Sequence, residues 1–341
     1  MLQYFPVEVE QEPLVQAALM LRENRTGYVR VLLGGRNFHE VKFNRAIQSR
    51  RRPGASFQPV IYAAALEKGF TRDDKIMDSP MKFVAGVGKE WSPKNDDGKY
   101  KGNVSLADAI IESRNIPAIR VLNHVGIYEA VAYAGRLGYT SRLPQGLTMA
   151  LGSGSVSVEE QVRAYSVFPN RGRLVPNIYI TKIVDRHGKV LEENQPPVLS
   201  DKSASPGKPA SNSEAPSPTA DAKSAKLDQR REDPPRRPVG IKETTARTMA
   251  SLLQEVVQRG TATVLKEIVG RKDIAGKTGT TKNNVDAWFM GFSPDYTCGV
   301  WVGFDDESSL GPGESGAQAA APIWGYFMKE VLKDTPEKEF H

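Results

Sequence analysis

Residues 274–304 read IAGKTGTTKNNVDAWFMGFSPDYTCGVWVGF, and the fold is decided by how this stretch is parsed. Three apolar runs, 274–280, 287–292 and 297–304, are short, rich in aromatic and β-branched residues, and broken by turn formers such as Ser293-Pro294-Asp295. They predict three strands in an antiparallel meander. Just upstream, Ala246, Met249, Ala250, Leu253, Val256 and Val257 recur at helical spacing and predict an amphipathic helix.

Earlier in the chain, Leu14, Val15, Ala18, Leu19 and Arg22 suggest a helix, and 28–33 reads as a buried strand closed by Gly34-Gly35. Phe57, Val60, Ile61, Ala64 and Ala65 follow Pro53-Gly54, so a buried helix begins near residue 55. Residues 105–111 form a short helix with Ser105 as N-cap and Asp108 three residues later. Residues 178–184 and 189–191 flank His187-Gly188 as a hairpin. Helices before and after a late antiparallel meander argue for an α+β fold, a sheet flanked by helices.

The chain has 341 residues, 39% hydrophobic and 25% charged, within the range of soluble globular proteins. A net charge of +6 raises the question of nucleic acid. The cations are dispersed, the one dense run is Arg50-Arg51-Arg52, and no nucleic-acid motif accompanies it. A mildly basic surface suited to an anionic ligand is the better account. Cys298 is the single cysteine, which excludes an internal disulfide and a thiolate metal site. His39, His124, His187 and His341 lack ligand spacing, so no metal and no cofactor is expected. No apolar run approaches the ~18 residues of a membrane span, and the first 20 residues do not read as a signal peptide.

Composition shifts at 196–238, where nine prolines and seven serines fall in 43 residues without one aromatic. Such a stretch cannot bury enough apolar surface to offset its ordering entropy, and is expected to be disordered. A linker between two independent domains would have the same composition. The motifs on either side belong together, so 1–341 is expected to be one domain carrying a long inserted loop.

The chemistry centres on Lys277-Thr278-Gly279-Thr280. On a strand, this sequence lines an ammonium, a hydroxyl and a bare backbone along one edge, where a substrate can lie close and a carboxylate is attracted. Alone, the tripeptide Lys-Thr-Gly also fits an exposed strand with no function. It is joined, however, by Ser113-Arg114-Asn115 after a short helix and by Arg52-Pro53-Gly54-Ala55-Ser56-Phe57-Gln58-Pro59 at the start of a buried one. In this order the blocks resemble the Lys-Thr-Gly, Ser-x-Asn and Ser-x-x-Lys motifs of penicillin-binding proteins and serine β-lactamases. The resemblance is to the transpeptidase module of bifunctional class A penicillin-binding proteins. It extends through Phe43-Asn44-Arg45-Ala46, Trp91-Ser92-Pro93-Lys94-Asn95, Arg259-Gly260-Thr261-Ala262 and Asp286-Ala287-Trp288-Phe289.

The resemblance implies a serine at a helix start that attacks a peptidoglycan stem peptide, a lysine one turn later that helps take its proton, and two backbone N–H groups that hold the oxyanion. Here the match breaks. Ala55 stands at the expected nucleophile position and Gln58 at the expected lysine position. Alanine has no attacking atom, and a neutral amide is no base near pH 7. Ser56 is the alternative nucleophile. One residue along a helix is a rotation of about 100°, which turns Ser56 away, and its own i+3 residue is Pro59.

By the same resemblance Ser113, Asn115 and Lys277 line the cleft, Thr278 and Gly279 contact ligand, and the N–H groups of Ala55 and Thr280 form the oxyanion hole. The expected partners are a peptidoglycan stem peptide or a β-lactam, and other cell-wall synthesis proteins, with no nucleic acid. The leading expectation is a non-acylating binding or scaffolding module; the alternative is an active transpeptidase using Ser56. A β-lactamase also needs the absent serine. Class A members carry a membrane anchor and a glycosyltransferase domain and work outside the cytoplasmic membrane. Membrane attachment is expected only through a segment that these residues do not contain.

Overall fold

The computed structural model describes residues 13–85, 89–197 and 240–340. The first strand, β1 (Gln16–Glu23), runs where a helix was expected. Its run Ala18, Leu19, Met20, Leu21 and Arg22 is buried throughout. It sits inside the sheet, paired antiparallel to β11 (Tyr296–Gly303) on one side and β2 (Val29–Leu33) on the other. A strand covered on both faces loses the polar–apolar alternation that marks strands in sequence. The Arg22 side chain stays in this interior by donating to Asn177 Oδ1 (2.6 Å) and the Val175 carbonyl (3.0 Å). Burial draws its pKa down to about 10. β2 is the sheet's edge and is half-exposed rather than buried.

The chain then enters a 3-10 turn, Gly54–Phe57, and α1 (Gln58–Glu67), whose first eight residues are all buried. β3 (Lys75–Asp78), β4 (Phe83–Ala85), β5 (Lys89–Trp91) and β6 (Gly102–Ser105) form two small ribbons, β3 with β6 and β4 with β5. α2 (Leu106–Ile111) is capped as expected: the Asp108 N–H donates to Ser105 Oγ at 2.9 Å, and that hydroxyl donates to the Asp108 carboxylate at 2.7 Å. α3 (Asn115–Val125), α4 (Ile127–Arg136) and α5 (Val158–Tyr165) follow. The expected hairpin is present as β7 (Lys182–Val184) and β8 (Val190–Glu193).

After residue 240 come α6 (Glu243–Arg259), α7 (Val264–Val269), and the meander β9 (Ala275–Thr280), β10 (Asp286–Phe292) and β11, closed by α8 (Ala321–Leu332). The sheet order is β2-β1-β11-β10-β9, all antiparallel. Helices cover both faces. A Cβ at Gly299 would meet Val162 of α5, while one at Gly291 would meet Trp324 of α8. These glycines lie on opposite faces, because Gly291 is the register partner of Cys298, the neighbour of Gly299. The fold is the expected α+β sheet flanked by helices.

Residues up to 196 and from 240 onward build one compact unit. The expected insertion lies, from residue 198 on, outside the described residues. The Arg50-Arg51-Arg52 run serves the fold. Arg51 is buried over the Trp301 ring, 5.1 Å from its centroid, and donates to the Phe304 and Asp305 carbonyls, while the Arg52 carbonyl accepts from Trp288 Nε1.

Candidate functional site

β9 is an outer strand of the sheet, and the 53–57 turn packs against it. Two glycines permit the approach. Gly54 has φ +55, and a Cβ there would stand 2.5 Å from the Thr280 carbonyl. A Cβ at Gly279 would stand 2.3 Å from the Pro53 carbonyl. Strand backbone and turn backbone therefore touch directly, as only glycine allows. Of the four residues 54–57, Ala55 alone is not buried. Its methyl group is the only side chain that this turn offers to a ligand.

Gln58 begins α1 and is fully buried, yet neither Oε1 nor Nε2 has a hydrogen-bond partner. One turn later, the Tyr62 hydroxyl is also buried without a partner, and burial raises its pKa. A buried amide left unpaired costs roughly 1–3 kcal/mol. The stretch that opens α1 therefore carries unspent hydrogen-bonding capacity beneath Ala55.

Lys277 is fully buried on β9, and its Nζ donates to Ser113 Oγ at 2.7 Å. Burial lowers the lysine pKa to about 7, opposed by the negative charge of Asp96. Ser113 sits between α2 and α3 with φ +58, a left-handed conformation that a non-glycine residue rarely adopts. The neighbouring Arg114 holds it there. The guanidinium donates to Asp78 Oδ2 from Nε (3.0 Å) and Nη2 (2.8 Å), and to Asp97 Oδ2 from Nη1 (2.7 Å). Asn95 ties the same loop to α3: it donates to Asp78 Oδ1 at 2.7 Å and accepts from the Ile116 N–H at 3.1 Å.

Asn115 is engaged by that loop. Its Nδ2 donates to the Lys94 carbonyl (3.0 Å) and to Asp96 Oδ1 (2.9 Å). Thr278 Oγ1 shares a hydrogen with Thr261 Oγ1 at 2.8 Å, and Thr280 Oγ1 accepts from the Gly316 N–H at 2.9 Å. Three separate segments thus converge: the turn before α1, the α2–α3 junction, and β9. No group of three or more metal-binding side chains is found among the described residues. None of their helices is long and apolar enough to cross a membrane.

A family model described as the penicillin-binding protein transpeptidase domain matches residues 17–329. The chain belongs to that family. It is 38% identical over 333 residues to penicillin-binding protein 1A of Neisseria lactamica, covering 97% of this chain and 37% of that protein. With penicillin-binding protein 1A of Pseudomonas aeruginosa it shares 39% identity, covering 96% of this chain and 41% of the relative. The crystal structure of penicillin-binding protein 1A from Haemophilus influenzae superposes with a TM-score of 0.83 at 31% identity. That match covers 98% of this chain and 50% of the other. The transpeptidase domain here thus spans about two-fifths of the length of the curated relatives it matches.

Within this transpeptidase-family domain, the geometry does not favour the Ser56 alternative. The Ser56 hydroxyl is fully buried, donates to the Pro53 carbonyl at 2.7 Å and accepts from Gln161 Nε2 at 2.8 Å. Both interactions hold it in the interior, whereas Ala55 is half-buried. Reading the sequence also missed Asp96 and Thr261 as neighbours of Lys277 and Thr278. Thr261 lies in a block that carries the family resemblance and Asp96 directly follows one, but no spacing rule links residue 96 to residue 277.

Proposed function

We infer that this transpeptidase-family domain of peptidoglycan synthesis binds a stem peptide or β-lactam without forming an acyl-enzyme, and acts as a binding or scaffolding module. The observation that carries this reading is the pair Ala55 and Gln58: a half-buried methyl group and, one turn later, a buried amide with no partner. An ester requires an attacking oxygen and a group to accept its proton, and this pair supplies neither.

The binding half of the site is chemically complete. In its protonated form Lys277 attracts the carboxylate of a ligand, and Ser113 fixes the direction of its Nζ. Thr278 offers a hydroxyl beside it. The backbone N–H groups of Ala55 and Thr280 are the oxyanion donors in this reading, since replacing a side chain leaves a backbone donor in place. Residues 1–341 then act as one domain with the 196–238 stretch inserted in it. It works on the outer side of the cytoplasmic membrane, attached through a segment outside these residues, alongside other wall-synthesis proteins.

The test is a fluorescent penicillin combined with intact-mass measurement. The wild-type chain should bind reversibly and show no mass increase. Ala55→Ser together with Gln58→Lys should become labelled, one adduct per chain. A stable adduct on the wild-type chain would refute the reading.

A further inference from the structure

A concavity lies apart from the residues of the candidate site. It has a volume of about 440 Å³ and is lined by Lys75, Ile76 and Met77 of β3 and by Arg120, Val121 and His124 of α3. Of these β3 residues, Lys75 and Met77 are exposed and Ile76 is buried. α3 contributes Arg120 and His124, four residues apart and therefore stacked on one face. Phe70 closes one side, packed edge-on against the His124 ring at 4.8 Å.

The charges around this hollow are unbalanced. Arg120 makes no ion pair among the described residues; its Nη2 reaches only Ser79 Oγ at 3.3 Å, and its Nε is buried with no partner. Lys75 likewise has no ion pair or side-chain hydrogen bond among the described residues. The one carboxylate in the lining, Asp74, turns back to accept the Thr71 N–H at 2.8 Å. Asp108, which feels the charge of Lys75, is held by Ser105 at 2.7 Å and Arg259 at 3.0 Å. Among the described residues, the buried Arg45 and Arg114 and the half-buried Arg271 each meet a carboxylate. Arg120 is half-buried without one.

We propose that this hollow binds a phosphate-class oxyanion carried on a small aliphatic group, with Arg120 and Lys75 as its charged donors and His124 as a third polar contact. The donors come from a strand and from two turns of a helix, so they approach from different directions. That arrangement suits the spread oxygens of a tetrahedral anion better than the planar pair of a carboxylate. Met77 and Phe70 supply apolar walls for the group that bears the phosphate. The phosphate can come from a soluble ester or from a lipid headgroup, and the chemistry of recognition is the same. The proposal does not depend on the reading of the cleft.

The probes are glycerol 1-phosphate and inorganic phosphate, titrated at constant ionic strength into the whole chain and followed by calorimetry. Parallel sedimentation uses vesicles of phosphatidylglycerol or phosphatidylcholine. Saturable phosphate binding is expected, weakened by Arg120→Gln and by Lys75→Gln each by roughly tenfold or more, as for loss of one charged hydrogen bond. Lys75 is exposed, so its variant tests the site even if Arg120→Gln disturbs folding. Binding of glycerol 1-phosphate without vesicle binding assigns a soluble ester. Binding to phosphatidylglycerol vesicles alone, lost in Lys75→Gln, assigns a lipid headgroup. Absence of saturable binding in both formats, unchanged affinity in Lys75→Gln, or acetate binding as tightly as phosphate would overturn the proposal.

Discussion

Lys277 Nζ and Ser113 Oγ, 164 residues apart in the chain, stand 2.7 Å from each other, and the lysine is wholly buried. The contact joins the outer strand of the sheet to the junction of two helices. Burial sets the charge of the site, bringing the lysine pKa to about 7 from an ordinary value of 10.5.

That shift predicts two pH effects. Between about 7 and 10.5 the unfolded chain holds a proton that the folded chain has released, so this group makes stability rise with pH across that window. Lys277→Met should flatten the rise, as measured by urea unfolding at pH 7 and pH 9. Affinity for a carboxylate ligand should run the other way. It should be full below pH 7 and decline above it, because the ammonium is lost, and calorimetry with a stem-peptide analogue reads this directly.

Gln58 predicts a stabilising substitution at the heart of the site. Replacing its unpaired amide with the similarly sized Met should raise unfolding free energy by roughly 1–3 kcal/mol. Ala55→Ser alone should also stabilise, by about 1 kcal/mol, by giving the amide a hydroxyl one helical turn away. It should not react with penicillin, because no base accompanies it. Denaturant unfolding and intact mass check both statements.

Ser56→Ala should separate structure from binding. Its hydroxyl bridges the Pro53 carbonyl and Gln161 in the interior, so removing it should cost about 1–2 kcal/mol. Ligand affinity should stay within twofold or so of wild type, since the hydroxyl does not face the cleft. A loss of binding at unchanged stability would contradict the geometry.

Asp78 predicts the largest effect. It is fully buried, and its carboxylate takes two hydrogen bonds from Arg114 and one from Asn95. Asp78→Asn leaves the Arg114 charge without its main counterion, at a cost of about 3–5 kcal/mol. Hydrogen exchange at the Ile116 amide, which Asn95 caps, should accelerate with the loss of stability.

The meander was legible from residues 274–304 because its strands are short, apolar and punctuated. The helices at 58, 106 and 243 announced themselves by periodicity and caps. β1 was misread. Its Gln-Ala-Ala-Leu-Met-Leu-Arg-Glu run is made of good helix formers, and only pairing with β11 and β2 makes it a strand. Among the site residues, Ser113 and Lys277 were named in advance, whereas Asp96 and Thr261 emerged only from contact.

What the sequence determined by itself is a matter of atoms: residue 55 has no hydroxyl and residue 58 has no amine, and no folding can add them. What the tertiary structure decided is a matter of surroundings. Burial moves the Lys277 pKa, an interior hydrogen-bond pair holds the Ser56 hydroxyl, and a loop from residues 94–97 takes up Asn115. Each of these depends on groups distant in the chain being brought out of water together, where desolvation and hydrogen bonding set their chemistry.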